Sequence, residues 1–98
     1  MQAHDERVLY LAIPEIAVIR VLSAELERGL VVALGTDETV RDARRQCAEL
    51  DNVMFIVATP DDIPWRSGFF SRVIDPRGDW PDPEKVAREV ARVSAPVA

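Results

Sequence analysis

The chain has 98 residues, 48% of them hydrophobic and 30% charged, which suits one small folded domain spanning 1–98 and excludes a disordered chain. A formal net charge of -5 argues against broad nucleic-acid binding, where clustered cations must replace phosphate counterions, and against an anionic membrane surface. A single cysteine, Cys47, rules out an intrachain disulfide and fits the reducing cytoplasm. No apolar run approaches the roughly 20 residues of a membrane span, and the polar start MQAHDER is no signal peptide.

Residues 1–6 read as a flexible lead, with His4 a solvated side chain among charges. Val8 to Ala12 is a near-continuous apolar run, the pattern of a strand covered on both faces. Pro14 fits the first turn of a helix, where its missing N–H is not needed, and Glu15 stands where the helix dipole favours an anion. Ile16, Ile19, Leu22 and Leu26 recur at helical spacing, and Gly29 reads as the C-terminal stop. Val18 and Val21 widen that stripe and predict a helix covered on more than one side.

Leu30 to Leu34 is a second buried strand. Gly35 turns the chain and Thr36 or Asp37 caps the next helix. Val40, Ala43, Cys47 and Leu50 make its core stripe. Cys47 on that stripe reads as a buried, inert thiol, because a nucleophilic cysteine needs exposure and a nearby base. Arg41, Arg44 and Arg45 lie off the stripe, on a solvated face.

Asn52 ends this helix, and Val53 to Ala58 is a third strand with another buried run. Thr59-Pro60-Asp61-Asp62 is a turn. The connection from Pro60 to Ser71 is short for a crossover and holds at most one helical turn. Arg72 to Ile74 is a brief fourth strand, and Pro76 to Pro81 a loop. Asp82-Pro83-Glu84 combines a cap, a proline at the first helical position and an acid. Val86, Val90 and Val93 carry the last helix to about Ser94. Strands alternating with helices imply an α/β fold with a parallel sheet and right-handed crossovers. Ligands of such sheets sit beyond the strands' C-terminal ends, an edge expected to gather Ile13, Glu15, Gly35, Thr36, Thr59, Asp61, Asp62 and Asp75.

The stretch from Asn52 to Asp75, NVMFIVATPDDIPWRSGFFSRVID, resembles the central part of the class I S-adenosylmethionine-dependent methyltransferases. There a strand ends in a small residue and an acid, followed by an acid-Leu-Pro-Phe segment, a Gly-x-Phe-Asp turn and the next strand. The resemblance runs from about Arg7 to Ile74. It implies a small Rossmann-like three-layer domain, with a four-stranded, mainly parallel sheet in the order 3-2-1-4 and helices on both faces. It also implies a cofactor site, against which the residues can be compared. The family's glycine-rich first loop corresponds to Ala12-Ile13-Pro14-Glu15-Ile16, without a glycine, so side chains and a proline ring occupy the space for the methionine portion. The acid that grips both ribose hydroxyls corresponds to Leu34, and the acid that reads the adenine amino group to Thr59. Asp62 matches the acid before Ile63-Pro64-Trp65. The Gly-x-Phe-Asp turn is Gly68-Phe69-Phe70-Ser71, its acid replaced.

Three independent losses favour a non-catalytic, methyltransferase-like binding or structural module with no cofactor expected, Ile13, Pro14, Glu15, Leu34, Thr59 and Asp62 being vestigial positions. The alternative is an S-adenosylmethionine-dependent methyltransferase or another small nucleotide-binding enzyme. A third reading is an unrelated doubly wound domain of flavodoxin type. Asp61-Asp62 is a lone acidic pair rather than a metal cluster, and no Ser-His-Asp set is present. Trp65, Phe69, Phe70 and Trp80 are either a partner-binding hot spot or a cover for the sheet where a helix is missing. With strand order 3-2-1-4, the fourth strand around Val73 is a free edge. A two-fold homodimer is expected near it, with Trp65, Phe69, Phe70, Val73 and Trp80 as interface candidates.

Overall fold

Four strands and three helices alternate in a computed structural model that describes residues 6–96. They are β1 (Arg7–Tyr10), α1 (Ile16–Glu25), β2 (Leu30–Gly35), α2 (Asp37–Gln46), β3 (Val53–Val57), β4 (Arg72–Ile74) and α3 (Pro83–Val93). The sheet order is β3-β2-β1-β4, and every strand pair is parallel, Leu9 standing opposite Val32 on one side and Val73 on the other. His4 and the rest of 1–5 lie outside the described residues. Glu6, also assigned to the lead, is tied down: its carbonyl accepts from the Leu30 N–H at 3.0 Å and its carboxylate pairs with Arg72 at 3.2 Å.

The alternation of side chains along the strands sorts the core into two faces. Val8, Tyr10, Val31, Ala33 and Phe55 point to α1 and α2, where Ile19, Leu22, Leu26, Val40, Ala43 and Cys47 meet them. Leu9, Leu11, Val32 and Leu34 point the other way, against Ile63, Phe70, Val86 and Val93. One sheet between two covering layers is the three-layer arrangement that the sequence implies.

The caps show why the helices start where they do. Thr36 caps α2, accepting from the Thr39 N–H at 3.2 Å, while the Thr39 hydroxyl accepts from the Thr36 N–H at 2.9 Å. This reciprocal pair satisfies two donors that a helix start leaves open. Asp82 caps α3 through the Lys85 N–H at 3.1 Å, with Pro83 at the first helical position.

Other boundaries differ from expectation. β1 ends at Tyr10 rather than Ala12; the Leu11 N–H still bonds the Ile74 carbonyl at 3.0 Å, and the chain bends away after it. Pro14 lies ahead of α1, not within its first turn. Glu15, extended at φ -57 and ψ 140, is the N-cap, and its side chain makes no capping bond. α1 ends at Glu25 with Leu26 as its C-cap, so Gly29 sits in the following turn. Val18 and Val21 are 43% and 60% exposed, so α1 is covered on one side only. β3 lies at the edge that the order 3-2-1-4 gives it, but Met54 and Val57 are exposed where a buried run was expected. Asn52 follows a turn after α2 and serves α1 instead. Its amide donates to the Ser23 and Leu26 carbonyls at 2.9 Å each, satisfying carbonyls that the helix end leaves without partners. Ser23 donates its hydroxyl to the Asn52 side-chain oxygen.

Candidate functional site

A cleft of about 440 Å³ opens at the C-terminal ends of β1, β2 and β3, where ligands of parallel sheets bind. Its floor is Leu11, Ala12, Leu34 and Gly35. Ile13 leans over Gly35: a β-carbon on that glycine would stand 2.8 Å from the Ile13 Cδ1 and 2.7 Å from the Thr39 Oγ1. The glycine is therefore required for close approach, and the isoleucine occupies the space above it.

Three threonines line the cleft, and each hydroxyl is engaged. Thr36 and Thr39 hold the α2 cap, and Thr59 donates to the Asp61 carboxylate at 2.5 Å. Val57, Ala58 and Pro60 continue the wall, and no carboxylate side chain lines it. The side opposite is built by the 75–80 loop. Asp75 accepts from the N–H groups of Arg77 and Gly78 at 3.0 and 2.9 Å and from the Trp80 indole N–H at 2.9 Å. Gly78 turns the chain at φ 77, a left-handed conformation that favours glycine. Trp80 is thereby held at the cleft with the Arg77 guanidinium 4.6 Å over its ring. Arg77 also pairs with Asp79 through two hydrogen bonds, which hold the Asp79 carboxyl below the usual aspartate range.

Of the expected strand-end residues, Ile13, Gly35, Thr36 and Thr59 meet in this cleft, together with Leu34 from the cofactor positions that the resemblance implies. Pro14, Glu15 and Asp75 do not line it. Asp61 and Asp62 face Lys85, Arg88 and Glu89 instead. Arg77 was not singled out, although the Asp75-Pro76-Arg77-Gly78 sequence carries a turn signal with an aspartate acceptor at its start. Among the described residues, no three histidine, cysteine, aspartate or glutamate side chains come together as a metal site.

The aromatic segment folds back over the sheet. Phe70 is fully buried; Trp65 and Phe69 are half-buried, with ring centroids 5.4 Å apart and each within 5.5 Å of Phe70. Phe70 therefore cannot contribute to an exposed patch, and Trp65, Phe69, Val73 and Trp80 pack against the same core cluster. The reason lies in the connection itself. With no helix between β3 and β4, this segment covers the sheet with aromatic rings.

Arg92 secures that segment. Its guanidinium donates to the carbonyls of Ile63 and Trp65 at 2.8 Å each, and Glu89 accepts from the Ile63 N–H at 2.8 Å while pairing with Arg92. The Arg92 hydrogen bond, ahead of the Ile63 one, holds the Glu89 carboxyl below its usual range. The Gly68 and Phe70 N–H groups close on the Arg92 and Val93 carbonyls at the end of α3. Cys47, buried as expected, has its thiol pushed up by burial, against a smaller opposing effect of Arg20.

Solved structures similar to this one are methyltransferases or share their fold. An S-adenosylmethionine-dependent methyltransferase from Aquifex aeolicus matches with a TM-score of 0.85 at 23% identity, over 93% of this chain and 52% of its own. The YcgJ protein of Bacillus subtilis matches with a TM-score of 0.77 at 23% identity, over 94% of this chain and 41% of its own. The fibrillarin pre-rRNA processing protein of Methanococcus jannaschii matches at 0.61 and 18% identity, over 76% and 35%. No protein-family model matches the chain, and no curated protein matches it significantly. The chain thus has the class I S-adenosylmethionine-dependent methyltransferase fold and spans about half, or less, of the length of these proteins.

Proposed function

We propose that this chain is a non-catalytic methyltransferase-fold module that does not hold S-adenosylmethionine and acts through its surface contacts. The observation that carries the reading is the lining of the strand-end cleft. Leu34, which the family resemblance matches to the ribose-gripping acid, is an apolar side chain at 1% exposure, Ile13 stands over Gly35, and the threonine hydroxyls are spent on internal hydrogen bonds. A ribose diol or an adenine amino group placed here would be desolvated without a partner, at about 1–3 kcal/mol for each group. Calorimetric titration with S-adenosylmethionine and S-adenosylhomocysteine tests it; saturable heat from either supports the rival reading of a cofactor-binding enzyme.

Self-association is part of the proposal. β4 is hydrogen-bonded to β1 and forms an edge of the sheet, and unpaired strand edges are templates for further pairing. Beside that edge, a groove of about 410 Å³ runs between α1 and β4, lined by Tyr10, Val18, Val21 and Ile74. These support a homodimer formed along β4, with the apolar contact on the α1 side rather than on the 65–70 aromatics. A cytoplasmic setting, with Cys47 as a free buried thiol, belongs to the same reading.

A further inference from the structure

We propose that the strand-end cleft binds an uncharged, apolar small molecule, held against Trp80 and the Leu11–Leu34 floor. This goes beyond the loss of cofactor binding and rests on it, since both ligands would take the same space. Four observations converge. The cleft holds about 440 Å³, within the size of ordinary small-molecule sites. Apart from three threonines and Arg77 its lining is aliphatic or aromatic, and Val57 stays 52% exposed at the strand end, an apolar surface that an apolar ligand would cover. Its polar groups offer a ligand little: the three threonine hydroxyls are engaged within the protein, and the Arg77 charge is met by Asp79 in a two-bond pair. A charged or strongly polar ligand would give up hydrogen bonds to water there for few in return, whereas an apolar one has none to give up. Finally, Trp80 is placed, not loose. Asp75 takes its indole N–H and also ties the backbone of Arg77 and Gly78, so the wall opposite the strand ends is preset before any ligand arrives.

The probe is Nile red, an uncharged dye that fluoresces on entering an apolar site. With the unmodified, isotope-labelled chain, its addition should shift the amide resonances of Ala12, Thr36 and Ala58, and the Trp80 indole resonance, with one saturable site per chain. Resonances of Ala17 and Val21 in the α1 groove should stay in place. In fluorescence titrations, Ala58→Trp, which fills the cleft, and Trp80→Ala, which removes its wall, should each weaken the dye by about tenfold or more. Arg28→Ala, in the exposed turn before β2 and so at the opposite end of the sheet, should leave its affinity unchanged. No saturable binding, or shifts confined to Ala17 and Val21, would overturn the proposal. The two readings fail separately. Heat from S-adenosylmethionine refutes the non-binding module, whereas silence of both S-adenosylmethionine and Nile red refutes only the apolar-ligand site.

Discussion

Ile13 lies so close over Gly35 that a β-carbon on the glycine would meet its Cδ1 at 2.8 Å. The residue that replaces the expected glycine loop and the glycine that ends β2 are thus packed as one unit. Under the proposed function, the Ile13 side chain takes the space that a cofactor's methionine end would need. The Thr39 hydroxyl, 2.7 Å from the same point, makes the fit tighter and links it to the α2 cap.

Gly35→Ala should therefore destabilise the fold by about 1–3 kcal/mol, chiefly by displacing the Thr39 hydroxyl from its bond to the Thr36 N–H. Ile13, with its flexible end at the contact, can swing aside at lower cost. Denaturant unfolding of the single and double variants measures this. The cost of Gly35→Ala should shrink in a Thr39→Ala background, giving a clear coupling energy. Equal costs in both backgrounds would place the strain elsewhere.

Phe70→Ala should be severe. The ring is fully buried between Trp65, Phe69 and the sheet face beneath α3, and emptying such a site costs about 3–5 kcal/mol. That is a large share of the total stability of a small domain, about 5–15 kcal/mol. Thermal melts should show loss of the cooperative transition or a large fall in Tm. A melt like that of the unmodified chain would mean that the aromatic segment is not part of the core.

How much of this was legible in the sequence depended on what each residue's signal reports. Alternating apolar runs and helix caps report local structure, so the strand sequence, the α3 start at Asp82 and the buried Cys47 stripe were readable. The sheet order came from the family resemblance of the Asn52–Asp75 stretch. Position within the sheet is not local. Val53 to Val57 has the composition of a central strand, yet it is an edge, because nothing in its own residues says which neighbours it lacks. Phe70 and Trp80 looked alike as loop aromatics, but Phe70 is drawn inside by backbone bonds to Val93 and Ala95, while Trp80 is held at the cleft by Asp75. Asn52 was read as a helix end because its partners, Ser23 and Leu26, lie some thirty residues away in sequence.

The Glu89–Arg92 clamp carries a pH dependence. The Arg92 hydrogen bond lowers the Glu89 carboxyl from its ordinary value of 4.5, with the Ile63 N–H adding to it. A lowered folded-state value means that the stabilisation is fully present above the ordinary glutamate range. It is lost as the pH falls through the lowered value. Glu89→Gln should thus lower Tm at neutral pH, by a loss of about 1–2 kcal/mol. The gap to the unmodified chain should close in acid. A gap that stays constant with pH would show that the clamp works by packing and not by charge.

Cys47 should label slowly. It is 4% exposed and its thiol is pushed up by burial, so both access and thiolate content are reduced. Native-state labelling should be slower than labelling in denaturant by about an order of magnitude or more, and gated by local opening. Equal rates would contradict its place between α2 and the sheet.

Association along β4 should be visible in sedimentation equilibrium as a mass near twice 11.0 kDa at micromolar concentration. Val21→Lys, on the 60% exposed face of α1, should shift the chain to monomer without lowering its Tm, whereas Phe69→Ala should leave the dimer intact. A monomer across the whole concentration range would remove self-association from the proposed function.

The central claim is that the strand-end cleft no longer holds the methyltransferase cofactor, and calorimetric titration of the unmodified chain with S-adenosylmethionine tests it most directly. The expected result is no saturable heat, with any dissociation constant weaker than about 1 mM, or about -4 kcal/mol. A one-to-one isotherm with a dissociation constant near about 1 μM, some -8 kcal/mol, would contradict the account and make the chain a cofactor-binding relative.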